Sequence, residues 1–197
     1  MSRGAWVAAA IAAGLAACSF DPEAGHHIQV SYTDYSSLYS PGLVQYAVPK
    51  GEMTPLVHSP QFGTGPGDPG AVAAAVPPPG WLNPPIRFTT TPSAGTPTNY
   101  KLVLIIDPAW PGAGDDATCA NPMATPVKPG GGPNAIQATF CAGDRWVSHL
   151  VAYGPPAATA DDPNFRSMLA QVSLLLFPPF RPDEVHSPRP CRPPFCS

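Results

Sequence analysis

Leu102, Val103, Leu104, Ile105 and Ile106 follow one another without a polar break and end on Asp107 and Pro108. A strand with no polar alternation is apolar on both faces and belongs inside a sheet that is covered on both sides. Pro108 stops it, because proline has no amide hydrogen for a ladder. Neighbouring strands and covering elements must come from a heavily punctuated chain, with 30 prolines and 18 glycines among its 197 residues. That density approaches the low-complexity range. Disordered chains, however, pair low hydrophobicity with high net charge, and here 44% of residues are hydrophobic and only 12% charged. The composition points to folded elements separated by Pro/Gly-rich connections.

Around the apolar run, residues 86–91 read as a further strand. Residues 135–141 and 145–153 read as a hairpin whose turn is Ala142, Gly143 and Asp144, with Gly143 able to take positive φ. In its second arm, Trp146, Ser148, Leu150 and Ala152 share one face by simple alternation, and Val147, His149, Val151 and Tyr153 share the other. Asp161 or Asp162 caps a helix that accepts Pro163 in its first turn. Phe165, Leu169, Val172 and Leu176 lie on one helical face, with Met168 and Leu175 beside them, and Pro178 and Pro179 end the helix. Residues 109–133 read as a long loop. Upstream, 28–33 and 43–48 are short strand candidates, and Pro77, Pro78, Pro79 and Gly80 force an extended path. The expected fold is α+β: a small, mainly antiparallel sheet with one C-terminal amphipathic helix over residues 86–177. Pro/Gly-rich extended segments flank it, a tether over 18–85 and a tail over 178–197.

The N-terminus carries the most specific signal. Met1, Ser2 and Arg3 precede an apolar run over residues 5–13, too short to span a bilayer and laid out as a secretory leader. Leu15-Ala16-Ala17-Cys18 then resembles the lipobox of bacterial lipoprotein precursors. The resemblance covers only the first 18 residues. It implies that residues 1–17 are a removed signal peptide, that Cys18 carries a diacylglycerol on its sulfur, and that the new amino terminus is acylated. The bilayer is then a partner through Cys18, and two or three chains meet the need for more than one anchoring signal, at about 0.8 kcal/mol per buried methylene. Ser19 stands where an aspartate would favour inner-membrane retention, so the resemblance implies the periplasmic face of the outer membrane.

Five cysteines are present: Cys18, Cys119, Cys141, Cys191 and Cys196. With Cys18 given to lipid the rest are even in number, and outside the cytoplasm disulfides are the default. Three connectivities are open; Cys119 with Cys141 and Cys191 with Cys196 are favoured as the local pairs. No C-x-x-C is present, and a zinc site would want four convergent ligands at recognisable spacing.

A formal net charge of −3 provides no field for nucleic acid. G-x-S-x-G, H-E-x-x-H and a phosphate-binding loop are all missing. Asp107 at a strand end, Asp115 and Asp116 in the following loop, and His149 in a nearby strand are candidate metal ligands or acid–base groups. Against this, Asp-Pro is a common strand exit, aspartates in Gly-rich loops make turns, and a lone histidine on a strand is a packing residue. His26 and His27 read as solvated tether. Trp81, Trp110 and Trp146 are pocket or core candidates. The expectation is a non-enzymatic envelope lipoprotein, structural or protein-binding, with no cofactor besides its lipid. A small-ligand or metal-binding lipoprotein and an envelope hydrolase are the alternatives.

Overall fold

The computed structural model describes residues 28–59, 69–112, 114–128, 135–157 and 159–182. In chain order these form β1 (Gln29–Tyr35), α1 (Pro41–Ala47), β2 (Glu52–His58), α2 (Pro69–Ala75), β3 (Arg87–Phe88), β4 (Tyr100–Ile106), α3 (Asp116–Ala120), β5 (Ala135–Ala142), β6 (Arg145–Tyr153) and α4 (Pro163–Leu176). The strands make one six-stranded sheet in the order β1-β6-β5-β4-β2-β3. β1, β6, β5 and β4 pair antiparallel, while β2 runs parallel to both β4 and β3. The fold is α+β with a mostly antiparallel sheet, and the apolar run lies in its interior as β4.

One face of β4, through Leu102, Leu104 and Ile106, joins the main core with Phe140, Leu150, Phe165, Leu169 and Val172. α4 packs on the same side of the sheet, over β6 and β5. Asp162 caps it by accepting from the Asn164 amide, and its buried positions Phe165, Met168, Leu169, Val172 and Leu176 recur at helical spacing. The carbonyls that a helix C-terminus leaves without partners are taken up by side chains. Tyr35 donates to the Leu175 carbonyl, Ser148 to Leu176 at 2.7 Å, Trp81 to Phe177 at 2.7 Å and Tyr39 to Pro178. Burial, with Tyr35 alongside, pushes the Tyr39 phenol well above its ordinary range.

The boundary at residue 86 is corrected. Val44, Ala47, Val48, Met53, Val57, Val72, Val76 and Leu82 bury in the same core as the later strands, so the segment read as a tether supplies two strands and two helices of the domain. Of residues 43–48, read as extended, 43–47 are helical and Val48 is the C-cap, because Ser40 caps α1 by accepting from the Leu43 amide and Pro41 occupies its first turn. β2 contains Pro55 yet lies between two strands. Met53 presents its carbonyl to Thr89 on the β3 side, so the nitrogen of Pro55, two residues on, faces a side where the two-residue β3 has already ended. β3 is shorter than expected because the chain turns away to surround Glu52, whose carboxylate accepts from Ser93, Thr96 and Arg87. The Ser93 amide and hydroxyl, then Arg87, hold that carboxyl down to about 2.

The hairpin turn falls at Gly143 and Asp144, with Gly143 at φ 61°. A bulge changes the faces, however. Cys141 pairs with Trp146 and Phe140 with Ser148, which makes Val147 the extra residue. Val147 therefore joins the α4 side and Trp146 the opposite side, the reverse of simple alternation. The tail opens at Pro178 with its carbonyl fixed to Tyr39.

Candidate functional site

The sheet face opposite α4 is smaller, more polar and covered by residues 107–128. Its apolar part is a cluster of Val103, Ile105, Cys119 and Cys141, with Leu56, Val127 and Trp146 against it. The cover contains α3 and a 3-10 turn at Pro122–Ala124, so the stretch read as a loop is partly helical. Its ends are pinned by Asp107, a non-glycine residue at φ 50°, a region that Asp tolerates better than most side chains. The Asp107 amide donates to Ala135, its Oδ1 accepts from the Ala135 amide at 3.0 Å, and its carbonyl accepts from the Lys128 amide at 2.8 Å. One residue thus joins β4, the start of β5 and the end of the cover.

The other sequence candidates are struts of the same cover. Asp115 caps α3, accepting from the Thr118 amide at 2.7 Å. Asp116 pairs with Arg145 at 2.8 Å and accepts from the Trp146 amide at 3.0 Å. Cys119 and Cys141 form a disulfide that ties α3 to β5. His58 donates from Nε2 to the Thr125 carbonyl at 3.0 Å. Cys18, His26, His27, Cys191 and Cys196 lie outside the described residues.

His149 is fully buried under the cover. Its Nε2 lies 2.6 Å from the Gly112 carbonyl and its Nδ1 2.9 Å from the Thr139 hydroxyl. A carbonyl only accepts, so the proton is assigned to Nε2, and Nδ1 accepts from Thr139. Burial pushes the imidazole below its ordinary value, outweighing the Gly112 carbonyl and the charges of Asp34 and Asp115. Both nitrogens of a neutral ring are engaged. Gly114 makes the fit possible, because a Cβ there would sit 2.7 Å from His149 Cβ and 2.9 Å from the Trp146 ring. Asp107, Asp115, Asp116 and His149 do not converge, and among the described residues no group of three His, Cys, Asp or Glu side chains is arranged to hold a metal ion.

Between the cover and the sheet lies a cleft of about 320 Å³, lined by Trp110, Asp115, Thr118, Asn121, Thr125 and Gln137 among others. Trp110 is 84% exposed. Gln137, on β5, is only 4% exposed. Among the described residues, Gln137 Oε1 and Ser31 Oγ are buried without a hydrogen-bond partner, and both flank Val151 in the sheet. Neither residue carries a catalytic or metal-binding signature in the sequence. The signal was there in β5, where Gln137, Thr139 and Cys141 alternate with Ile136, Ala138 and Phe140, a polar face inside a strand buried on both sides.

No family model, curated protein or solved structure matches this chain. Function must therefore be argued from its own residues.

Proposed function

We propose that the chain is a bacterial envelope lipoprotein, anchored through acyl chains on Cys18, whose folded domain is an interaction module rather than an enzyme. The observation that carries the anchor is the lipobox-like Leu15-Ala16-Ala17-Cys18 behind a leader-like run. The cysteine count supports it, since Cys119 and Cys141 pair with each other. The non-enzymatic reading is supported by the employment of the acid–base candidates: Asp107 joins strands, Asp115 caps a helix, Asp116 pairs with Arg145, and neutral His149 has both nitrogens bonded.

The described residues begin at 28, and the ten-residue separation from Cys18 allows a reach of at most about 35 Å even when fully extended. The module is thereby held close to the membrane that carries it, on the outer membrane's periplasmic face, where an envelope protein is the partner first in line. The test is Cys18→Ser. Processing should stop at the leader and labelling with radioactive palmitate should vanish; a variant still cleaved and still membrane-bound like the wild type refutes the anchor. Crosslinking in intact envelopes should return one specific protein partner, and a blank result argues against that class of partner. A second reading, a small-ligand site, is favoured by one observation: Gln137, whose buried Oε1 has no partner among the described residues, lines the same cleft as Trp110.

A further inference from the structure

We infer that the cleft between residues 107–128 and the sheet binds a neutral saccharide, one or two rings long. The inference deepens the small-ligand reading and rests on it, independently of the lipid anchor. Its starting point is Gln137, a side chain more than nine-tenths buried that contributes to the cleft lining while its Oε1 has no partner among the described residues. Buried polar atoms are nearly always paired, and Oε1 is itself turned away from solvent, so a rotation of the amide toward the cleft would let a hydrogen-bond donor from outside the described residues pair it.

The rest of the lining selects the chemistry of that donor. Asp115 contributes a carboxylate, whose capping bond to Thr118 uses only part of its acceptor capacity. Asn121 and Thr118 add groups that donate and accept. None of the described lining residues is Lys or Arg, so among them an anion would meet Asp115 without a compensating cation. A purely apolar ligand would strip water from the Gln137 amide and the Asp115 carboxylate and return no hydrogen bond. At the rim, Trp110 offers a broad apolar ring that is 84% exposed, a rigid platform with two side-chain torsions to fix. A sugar ring matches both halves: a C–H face to lie on the indole, and a fringe of hydroxyls that donate to Gln137 and Asp115 and accept from Asn121. A volume of about 320 Å³ is at the lower end of small-molecule sites, roughly 300–1,000 Å³, which limits the occupant to a short segment of a glycan.

The walls are also fixed in advance. The Cys119–Cys141 disulfide, the Asp107 junction and the Asp116–Arg145 pair set the cover on the sheet, so little ordering cost falls on binding.

The experiment titrates the full chain, disulfide intact and extracted in a zwitterionic detergent without a sugar headgroup. The probes are the trisaccharides of N-acetylglucosamine, cellulose and starch, with tetramethylammonium as a cationic control, and the readouts are calorimetry and tryptophan fluorescence. At least one trisaccharide should saturate the protein at micromolar to millimolar concentration. Trp110→Ala and Gln137→Leu should each weaken it by about tenfold or more. Trp110 is exposed, so its variant keeps the test readable if Gln137→Leu does not fold. No saturation by any sugar, or affinity unchanged in folded Trp110→Ala, overturns the proposal. Saturation by tetramethylammonium alone also overturns the saccharide chemistry while leaving a small-ligand site in place.

Discussion

The two faces of the sheet are made by the same strands and held by different means. On the α4 face, packing dominates: Phe140, Phe165, Phe177 and, from β4, Leu102, Leu104 and Ile106 are fully buried together. The hydroxyls of Tyr35, Tyr39 and Ser148 close onto carbonyls at the end of α4. On the opposite face the apolar cluster is small, and the cover is fastened at discrete points: a disulfide, an ion pair, two histidines and one aspartate in a left-handed conformation. Among the described residues, Gln137 on that face is the cleft-lining residue with a buried, unpaired amide oxygen. One face is closed by packing, and the other by a few discrete ties that leave a cleft between cover and sheet.

The largest expected effect comes from attacking the packed face. Phe140→Ala removes a side chain in ring contact with Tyr100 and Phe177 and should cost about 3–5 kcal/mol, read by denaturant unfolding. Next is the Cys119→Ala/Cys141→Ala double variant. Its residues are 22 positions apart, so its loss should cost about 3 kcal/mol on chain-entropy grounds. The comparison requires a difference in kind as well: Phe140→Ala weakens the whole domain, whereas the cysteine variant should speed amide exchange first in α3 and the strands beneath it.

Acid should separate the regions further. His149 is held neutral below its ordinary value of 6.5, so the unfolded chain binds that proton first. The stability it contributes is present above about pH 6.5 and is lost as pH falls through its folded pKa. Glu52, lowered from 4.5 to about 2, contributes stability above pH 4.5 that is lost between there and about 2. The thermal midpoint should therefore start to fall below pH 6.5 and fall again below 4.5. His149→Gln should flatten only the first slope and Glu52→Gln only the second; identical profiles in all three proteins would break the assignment.

The parts of the fold legible in the sequence are those whose signals are local. β4 announces itself by five apolar residues, the hairpin by Gly143, and α4 by Asp162, Pro163 and a 3.6-residue period. β2 was hidden because Pro55 breaks a strand pattern unless the neighbour on its nitrogen side has already ended. α1 was hidden because Leu43, Val44, Ala47 and Val48 suit either structure until the Ser40 cap is weighed. The bulge at Val147 reverses Trp146 without any sequence sign. The site was half legible. Trp110 stood out by type, and Asp107, Asp115, Asp116 and His149 were picked for chemistry that the fold spends on holding the cover. Gln137 was passed over because an amide carries no catalytic signature, and its meaning depends on a partner that only a three-dimensional arrangement reveals as missing.

The smallest effect is also the most direct test. Ser148 and Gln137 are both buried polar residues on neighbouring strands, but Ser148 bonds the Leu176 carbonyl and Gln137 Oε1 has no partner among the described residues. The thermal midpoints of Ser148→Ala and Gln137→Leu should be measured side by side without ligand. Ser148→Ala should lower the midpoint, by about 1 kcal/mol of stability or more, since it leaves a buried carbonyl unpaired. Gln137→Leu should leave it unchanged or raise it, because an unpaired polar group gives way to an apolar one. A midpoint lowered by Gln137→Leu as much as by Ser148→Ala would contradict the division between a face closed by packing and paired hydrogen bonds and a face that holds an unpaired polar group beside a cleft.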